Sequence, residues 1–208
     1  MGMLLRFLSG NRKSPNDSIV VVSGLPRSGT SMLMGMLSAG GLDLLTDGLR
    51  TADPDNPKGY YEFEPVKKLN ESTDRSWLGG ARGKGLKVIS YLLQYLPDAY
   101  EYKIIFVRRA LSEVLASQKK MLERRGEPPG ETSDEAMARF FAGHLRKVEV
   151  ELERRSNCDV LYVDHREAVR VPAEVARQIR RFLGRPLDVD RMAQAVDEAL
   201  YRNRSSQP

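Results

Sequence analysis

The segment Ser23-Gly24-Leu25-Pro26-Arg27-Ser28-Gly29-Thr30-Ser31 combines the side chains and the backbone freedom that anion chemistry requires. A tight turn between a strand and a helix aims successive backbone N–H groups into one concavity, with the positive end of the helix dipole behind them. The nucleotide-binding pattern G-x-x-x-x-G-K-[ST] maps onto Gly24, Gly29 and Ser31, but Thr30 stands where that pattern has lysine. The cation lies inside the loop instead, at Arg27, between Pro26 and Ser28. A second group lies downstream. Arg109 follows an apolar run, and Ser117 comes eight residues later, two turns into what reads as a helix. An arginine fork and a serine hydroxyl approaching from one helix face suit a phosphate monoester, although such a pair by itself is as readily structural.

Strands must hold both groups. Residues 19–23 read as a buried strand and 32–39 as the helix that follows, the first βα unit. Residues 40–59 are rich in Gly, Asp, Pro and Asn, with Asp53-Pro54 and Asn56-Pro57 as turn signals, so a long loop is expected there. A short helix over 64–72, a glycine-punctuated connection over 79–85 and a short strand over 86–89 come next. Residues 102–107 form a stronger strand ending in Arg108-Arg109, and 111–125 a helix. After Pro128-Pro129-Gly130, residues 133–155 have helical periodicity, with Phe140, Phe141, Leu145, Val148 and Leu152 on one side. A last strand over 159–163 precedes helices over 173–183 and 191–202. Strands alternating with helices predict an α/β architecture whose central parallel sheet is covered on both faces. Ligands bind such folds beyond the carboxyl ends of the strands, where Arg27 and Arg109 both fall.

With Pro26 and Arg27 before Ser28-Gly29-Thr30, the loop resembles the 5'-phosphosulfate loop of the sulfotransferases. It is most similar to the protein-tyrosine and bacterial carbohydrate or lipid branches, which use arginine there. The family grips the 3'-phosphate of 3'-phosphoadenosine 5'-phosphosulfate with an arginine at a strand end and a serine eight positions on. Arg109 and Ser117 fit that spacing, and Arg108 takes the role if the register slips by one. Downstream, residues 160–163, Pro172 and Phe182-Leu183-Gly184 look like the family's last strand and its Phe-Leu-Gly helix end. The resemblance spans most of residues 18–186 and implies a P-loop-type three-layer α/β/α fold. It also implies a donor that leaves as 3',5'-adenosine bisphosphate, and no required metal. Gly24, Pro26, Arg27, Ser28, Gly29, Thr30, Ser31, Arg109 and Ser117 are then the donor-binding residues, with Lys87 adding positive charge from the next strand.

The sequence departs from the family in two places. Cytosolic members carry a histidine base two residues after that lysine, and here Ile89 occupies the position. A carboxylate must replace it if the acceptor is an alcohol, because the hydroxyl needs a proton acceptor within hydrogen-bond reach. Glu62, in Asn56-Pro57-Lys58-Gly59-Tyr60-Tyr61-Glu62, is the first candidate; Asp47 competes and Glu64 is third. The same acids could instead cap the 64–72 helix or pair with Lys67 and Lys68. The family's C-terminal Arg-Lys-Gly-x-x-Gly-Asp donor loop is also missing, with Arg202 and Arg204 as possible substitutes. Two other readings stay open: a P-loop kinase or NTPase, with Asp164 ending a Walker B-like strand, and a nucleotide-binding protein that has lost catalysis.

Composition narrows the setting. At 208 residues the chain is long enough to bury a core without disulfides or metals, so one domain over 18–202 is expected, between a flexible segment 1–17 and a tail 203–208. One cysteine and two histidines form neither a disulfide framework nor a thiolate zinc site, which fits a cytoplasmic compartment. No stretch approaches the ~20 apolar residues of a membrane span. The formal charge of +5 invites an anionic partner, but no nucleic-acid-binding signature accompanies it. The acceptor is expected to be a small molecule, carbohydrate or lipid, held by residues 40–59 and 77–85, with Tyr60, Tyr61 and Trp77 able to stack on a ring. Oligomeric state is not legible.

Overall fold

In Ile19-Val20-Val21-Val22 every residue is apolar and β-branched, as expected of a strand buried on both faces. The computed structural model describes residues 17–53, 56–128 and 132–201. Its centre is a four-stranded parallel sheet in the order β2-β1-β3-β4, with β1 Ile19–Gly24, β2 Gly85–Lys87, β3 Tyr102–Arg108 and β4 Cys158–Asp164. Strand pleat divides the core into two layers. Val20, Val22, Ile105 and Val107 pack under α1 (Thr30–Ala39), α6 (Pro172–Leu183) and α7 (Val189–Gln194). Ile19, Val21, Ile104 and Phe106 face the other way, toward α4 (Asp134–Arg154) and the 3-10 segments Ser76–Ala81 and Ser90–Tyr95. α3 (Leu111–Arg125) contributes Val114 to a smaller cluster with Leu25 and Phe141. This is the three-layer α/β/α arrangement expected from the alternation of elements. No helix among the described residues is long and apolar enough to cross a membrane.

Four sequence expectations change. The helix expected over 64–72 is only α2, Glu64–Lys67; beyond it i→i+3 turn bonds from the Lys68, Leu69 and Glu71 N–H groups replace the helical ladder, and the Arg75 guanidinium donates to the Leu69 and Ser72 carbonyls. Phe140 is 60% exposed, whereas Phe141, Leu145, Val148 and Leu152 form the inward stripe, spaced i, i+4, i+7 and i+11. The helix expected over 191–202 ends at Gln194, where Lys58 caps the Ala195 carbonyl and Asp197 starts a short 3-10 turn. The polar stretch after β4 is α5 (His165–Arg170), capped by the Asp164 carboxylate, which accepts from the Glu167 N–H at 3.0 Å. Asp164 is exposed at that cap, so the Walker B role has no support in its position. The expectations for residues 1–16 and for Arg202 and Arg204 lie outside the described residues.

Candidate active site

β1 enters its turn at Gly24, where a Cβ would lie 2.6 Å from Ser28 Oγ and 2.8 Å from the Val107 carbonyl. The loop then passes through Arg27, a non-glycine residue at φ 71, and Gly29 at φ 106. Left-handed backbone at a bulky residue is costly and persists only where the surroundings impose it. Here Arg109 imposes it, donating from its guanidinium to the Arg27 carbonyl at 3.0 Å. The Ser28 N–H closes the turn onto the Leu25 carbonyl at 3.1 Å, and Leu33 makes the first helical bond back to Gly29. The N–H groups of Thr30, Ser31 and Met32 therefore form the open first turn of α1, facing a cavity of about 560 Å3.

That cavity joins the two sequence motifs. Arg27 Nε donates to Ser117 Oγ at 3.0 Å, and both residues line the cavity together with Arg109. Arg108 turns away from it, pairing with Glu149 at 2.7 Å and covering the Tyr162 ring. Lys87 enters from the end of β2. Its Nζ donates to Ser31 Oγ at 3.0 Å and to the Tyr60 carbonyl at 2.9 Å. Burial pushes its ammonium down to about 8. Ser31 Oγ also accepts from Asn56 Nδ2 at 2.8 Å, which ties the long loop to the phosphate turn.

The candidate bases separate in space. Glu62 lines the cavity, its carboxylate 2.9 Å from Arg50, 3.1 Å from Lys67 and 3.9 Å from Lys87. Asp47 does not line it. Its carboxylate accepts from the N–H groups of Glu64 and Leu49, and those two bonds hold it below the usual carboxylate range. Asp47 thus starts α2, and Glu64 pairs with Lys67 on the exposed side. Ile89 lines the cavity beside Lys87 and brings no base.

No protein-family model matches the chain, and no curated protein matches it. Solved structures do. A sulfotransferase from Alicyclobacillus acidocaldarius superposes with a TM-score of 0.52 at 20% identity, over 83% of this chain and 82% of that one. The sulfotransferase domain of the Synechococcus PCC 7002 olefin synthase gives 0.53 at 17% identity, over 91% and 88%. The sulfotransferase domain from the curacin biosynthetic pathway gives 0.52 at 15%, over 92% and 93%. The chain has the sulfotransferase fold.

Within that fold three residues around the cavity escaped the sequence reading. Glu113 is buried and pairs with Arg109 at 3.0 Å, with Arg166 at 3.4 Å and with the Tyr201 hydroxyl at 2.7 Å. Its i, i+4 spacing from Arg109 was the available signal. His165 opens α5 and packs against Gly29, where a Cβ would lie 2.4 Å from its Cδ2. Burial, reinforced by the Arg109 cation, pushes this imidazole down to about 4, so it is neutral at pH 7. Tyr201 packs edge-on against His165, with 5.0 Å between ring centroids, and no local pattern announces it.

The acceptor side also differs from expectation. Residues 77–85 do not line the cavity, and Trp77 packs edge-on against Phe63 instead. From 40–59 the lining residues are Arg50, Asn56, Pro57 and Lys58. The Tyr60 ring is covered by Arg50 at 3.4 Å, and the Tyr61 hydroxyl lies against Gly35.

Proposed function

We propose that this protein is a sulfotransferase that moves the sulfuryl group of 3'-phosphoadenosine 5'-phosphosulfate to a hydroxyl of its acceptor, or to an amine. The observation that carries this reading is the convergence of the α1 first turn, Arg27 and Lys87 with the Arg109–Ser117 pair in one cavity. Arg109 and Ser117 would take the 3'-phosphate, and Arg27, Thr30, Ser31 and the open N–H groups of α1 the 5'-phosphosulfate. His165, neutral and buried against Gly29, offers a nitrogen rather than a charge to the nucleotide.

In the transfer step the acceptor oxygen forms a bond to sulfur as the bond from sulfur to the bridging phosphate oxygen breaks. The hydroxyl proton passes to the Glu62 carboxylate, which stands beside Lys87 in the cavity. The charge that develops on the departing 5'-phosphate is met by Lys87 and Arg27, already in position before the reaction. No step requires a metal. A lone Cys158, whose thiol burial pushes up to about 11, fits a reducing, cytoplasmic setting.

The test is calorimetry of 3',5'-adenosine bisphosphate without added metal, beside ATP with Mg2+, for the wild type and Arg109→Ala. Bisphosphate binding that the substitution removes supports the reading. Binding of Mg-ATP alone overturns it in favour of a kinase or NTPase.

A further inference from the structure

Glu113 sits in the first turn of α3, only 3% exposed, and does not itself line the cavity. An acidic residue at such a place ordinarily faces solvent and complements the helix dipole. Burying its carboxylate is costly unless both charge and hydrogen bonds are supplied. Three segments supply them. Oε2 accepts from Arg109 Nε at 3.0 Å, while Oε1 accepts from the Tyr201 hydroxyl at 2.7 Å and from Arg166 Nη2 at 3.4 Å.

The Arg109 side chain, itself 8% exposed, is thereby held at two points. Its Nε is on Glu113 and its Nη1 on the Arg27 carbonyl, 82 residues away in the chain. A planar guanidinium fixed at two nitrogens keeps one orientation, whereas an arginine on a free stem loses rotamer freedom each time it binds. Arg109 and Glu113 are not a surface helix pair, because Arg109 precedes Ala110, the α3 N-cap. Their burial also shields them from salt.

We propose that Glu113 is a positioning residue: together with the Tyr201 hydroxyl and Arg166 it orients the Arg109 guanidinium so that its fork meets a 3'-phosphate beside Ser117. This rests on the sulfuryl-transfer reading, which puts that phosphate on Arg109 and Ser117. A carboxylate near an anion site also repels the anion. Arg166 bears on the same carboxylate and leaves the group of three with a net positive charge, so orientation outweighs repulsion.

The experiment is calorimetry of 3',5'-adenosine bisphosphate and of adenosine 5'-monophosphate on the wild type, Glu113→Gln and Tyr201→Phe. The ligands differ only in the 3'-phosphate, so the ratio of their affinities reads the Arg109 contact and is not moved by a change that merely loosens the fold. Glu113→Gln should weaken bisphosphate binding by at least ~10-fold, the range for a charge-assisted hydrogen bond, and monophosphate binding by less than about threefold. Tyr201→Phe keeps the ring and every charge. It should lower the ratio about three- to tenfold, and it decides the matter if Glu113→Gln does not fold. Parallel loss of both ligands, an unchanged ratio in either folded variant, or tighter bisphosphate binding by Glu113→Gln overturns the inference and leaves the donor reading intact. A wild type that does not distinguish the two ligands overturns the donor reading itself, and this inference with it.

Discussion

Arg27 Nε and Ser117 Oγ meet at 3.0 Å although 90 residues separate them in the chain. The contact joins the turn after β1 to the helix that follows Arg109, so the two groups proposed to bind the donor's phosphates are one mechanical unit. On the proposed assignment, Ser117→Ala removes a hydroxyl from one phosphate and an anchor from the arginine that serves the other. The expected result is a ~10- to 100-fold loss of bisphosphate affinity, the range for hydrogen bonds to charged groups. Calorimetry checks it, and a loss under about threefold would show that the contact is incidental.

Glu62 and Asp47 should separate in opposite assays. Glu62→Gln removes the proposed proton acceptor from the cavity, so turnover should drop by at least ~100-fold while bisphosphate affinity is spared. Asp47→Asn weakens the start of α2 and should lower the melting temperature with little effect on turnover. Because the Asp47 carboxyl is depressed in the fold, its contribution to stability is present above the ordinary aspartate pKa and fades as the pH falls through the folded value. If Asp47→Asn abolishes turnover with an unchanged melting temperature, the roles are reversed.

If the proposed donor sits beside Lys87, its binding is a proton-linked event. The folded pKa of Lys87, about 8, lies below the ordinary lysine value, so between the two the unfolded chain holds more protons. Considered by itself, this group makes stability rise with pH across that window. A bound dianion restores the ammonium, so bisphosphate binding at about pH 8.5 should take up a fraction of a proton. Titration in buffers of different ionisation enthalpy measures that uptake. In Lys87→Met it should vanish; uptake that persists would assign the proton to another group.

Gly29→Ala should be damaging for two reasons that act together. The residue sits at φ 106, and its added Cβ would lie 2.4 Å from His165 Cδ2. Left-handed backbone at an L-residue alone costs about 1–2 kcal/mol, and displacing His165 disturbs the cavity wall as well. A lower denaturant midpoint and weakened bisphosphate binding are expected. A double substitution, Gly29→Ala with His165→Ala, should recover only part of the stability, because relieving the clash leaves the backbone strain. Full recovery would mean that the loop tolerates alanine.

Local chemistry made the half of the cavity around the β1–α1 turn legible. Gly24 and Gly29 are needed where the turn takes backbone that other residues avoid, the β-branched run before them can only be a buried strand, and Arg109–Ser117 is a spacing from the end of β3 into the helix that follows. Such features are written within a few residues of each other, so the order of residues alone reveals the parallel sheet, the tight turn after β1 and the arginine inside it. Residues brought together by the sheet order are hidden from such a reading. Glu62 and Asp47 look alike as carboxylates in a loop, and only the approach of Lys87 from β2 and the α2 N–H groups assigns one to the cavity and the other to a helix start. Trp77 reads equally as a ring-stacking or a packing residue, and its contact with Phe63 away from the cavity decides for packing. Glu113, His165 and Tyr201 come from three separate stretches: β3 and β4, side by side in register, bring together the helices that follow them, and Tyr201 reaches both from far along the chain. Burial and charge proximity are properties of neighbours in space, and the tertiary structure alone decides which neighbours those are.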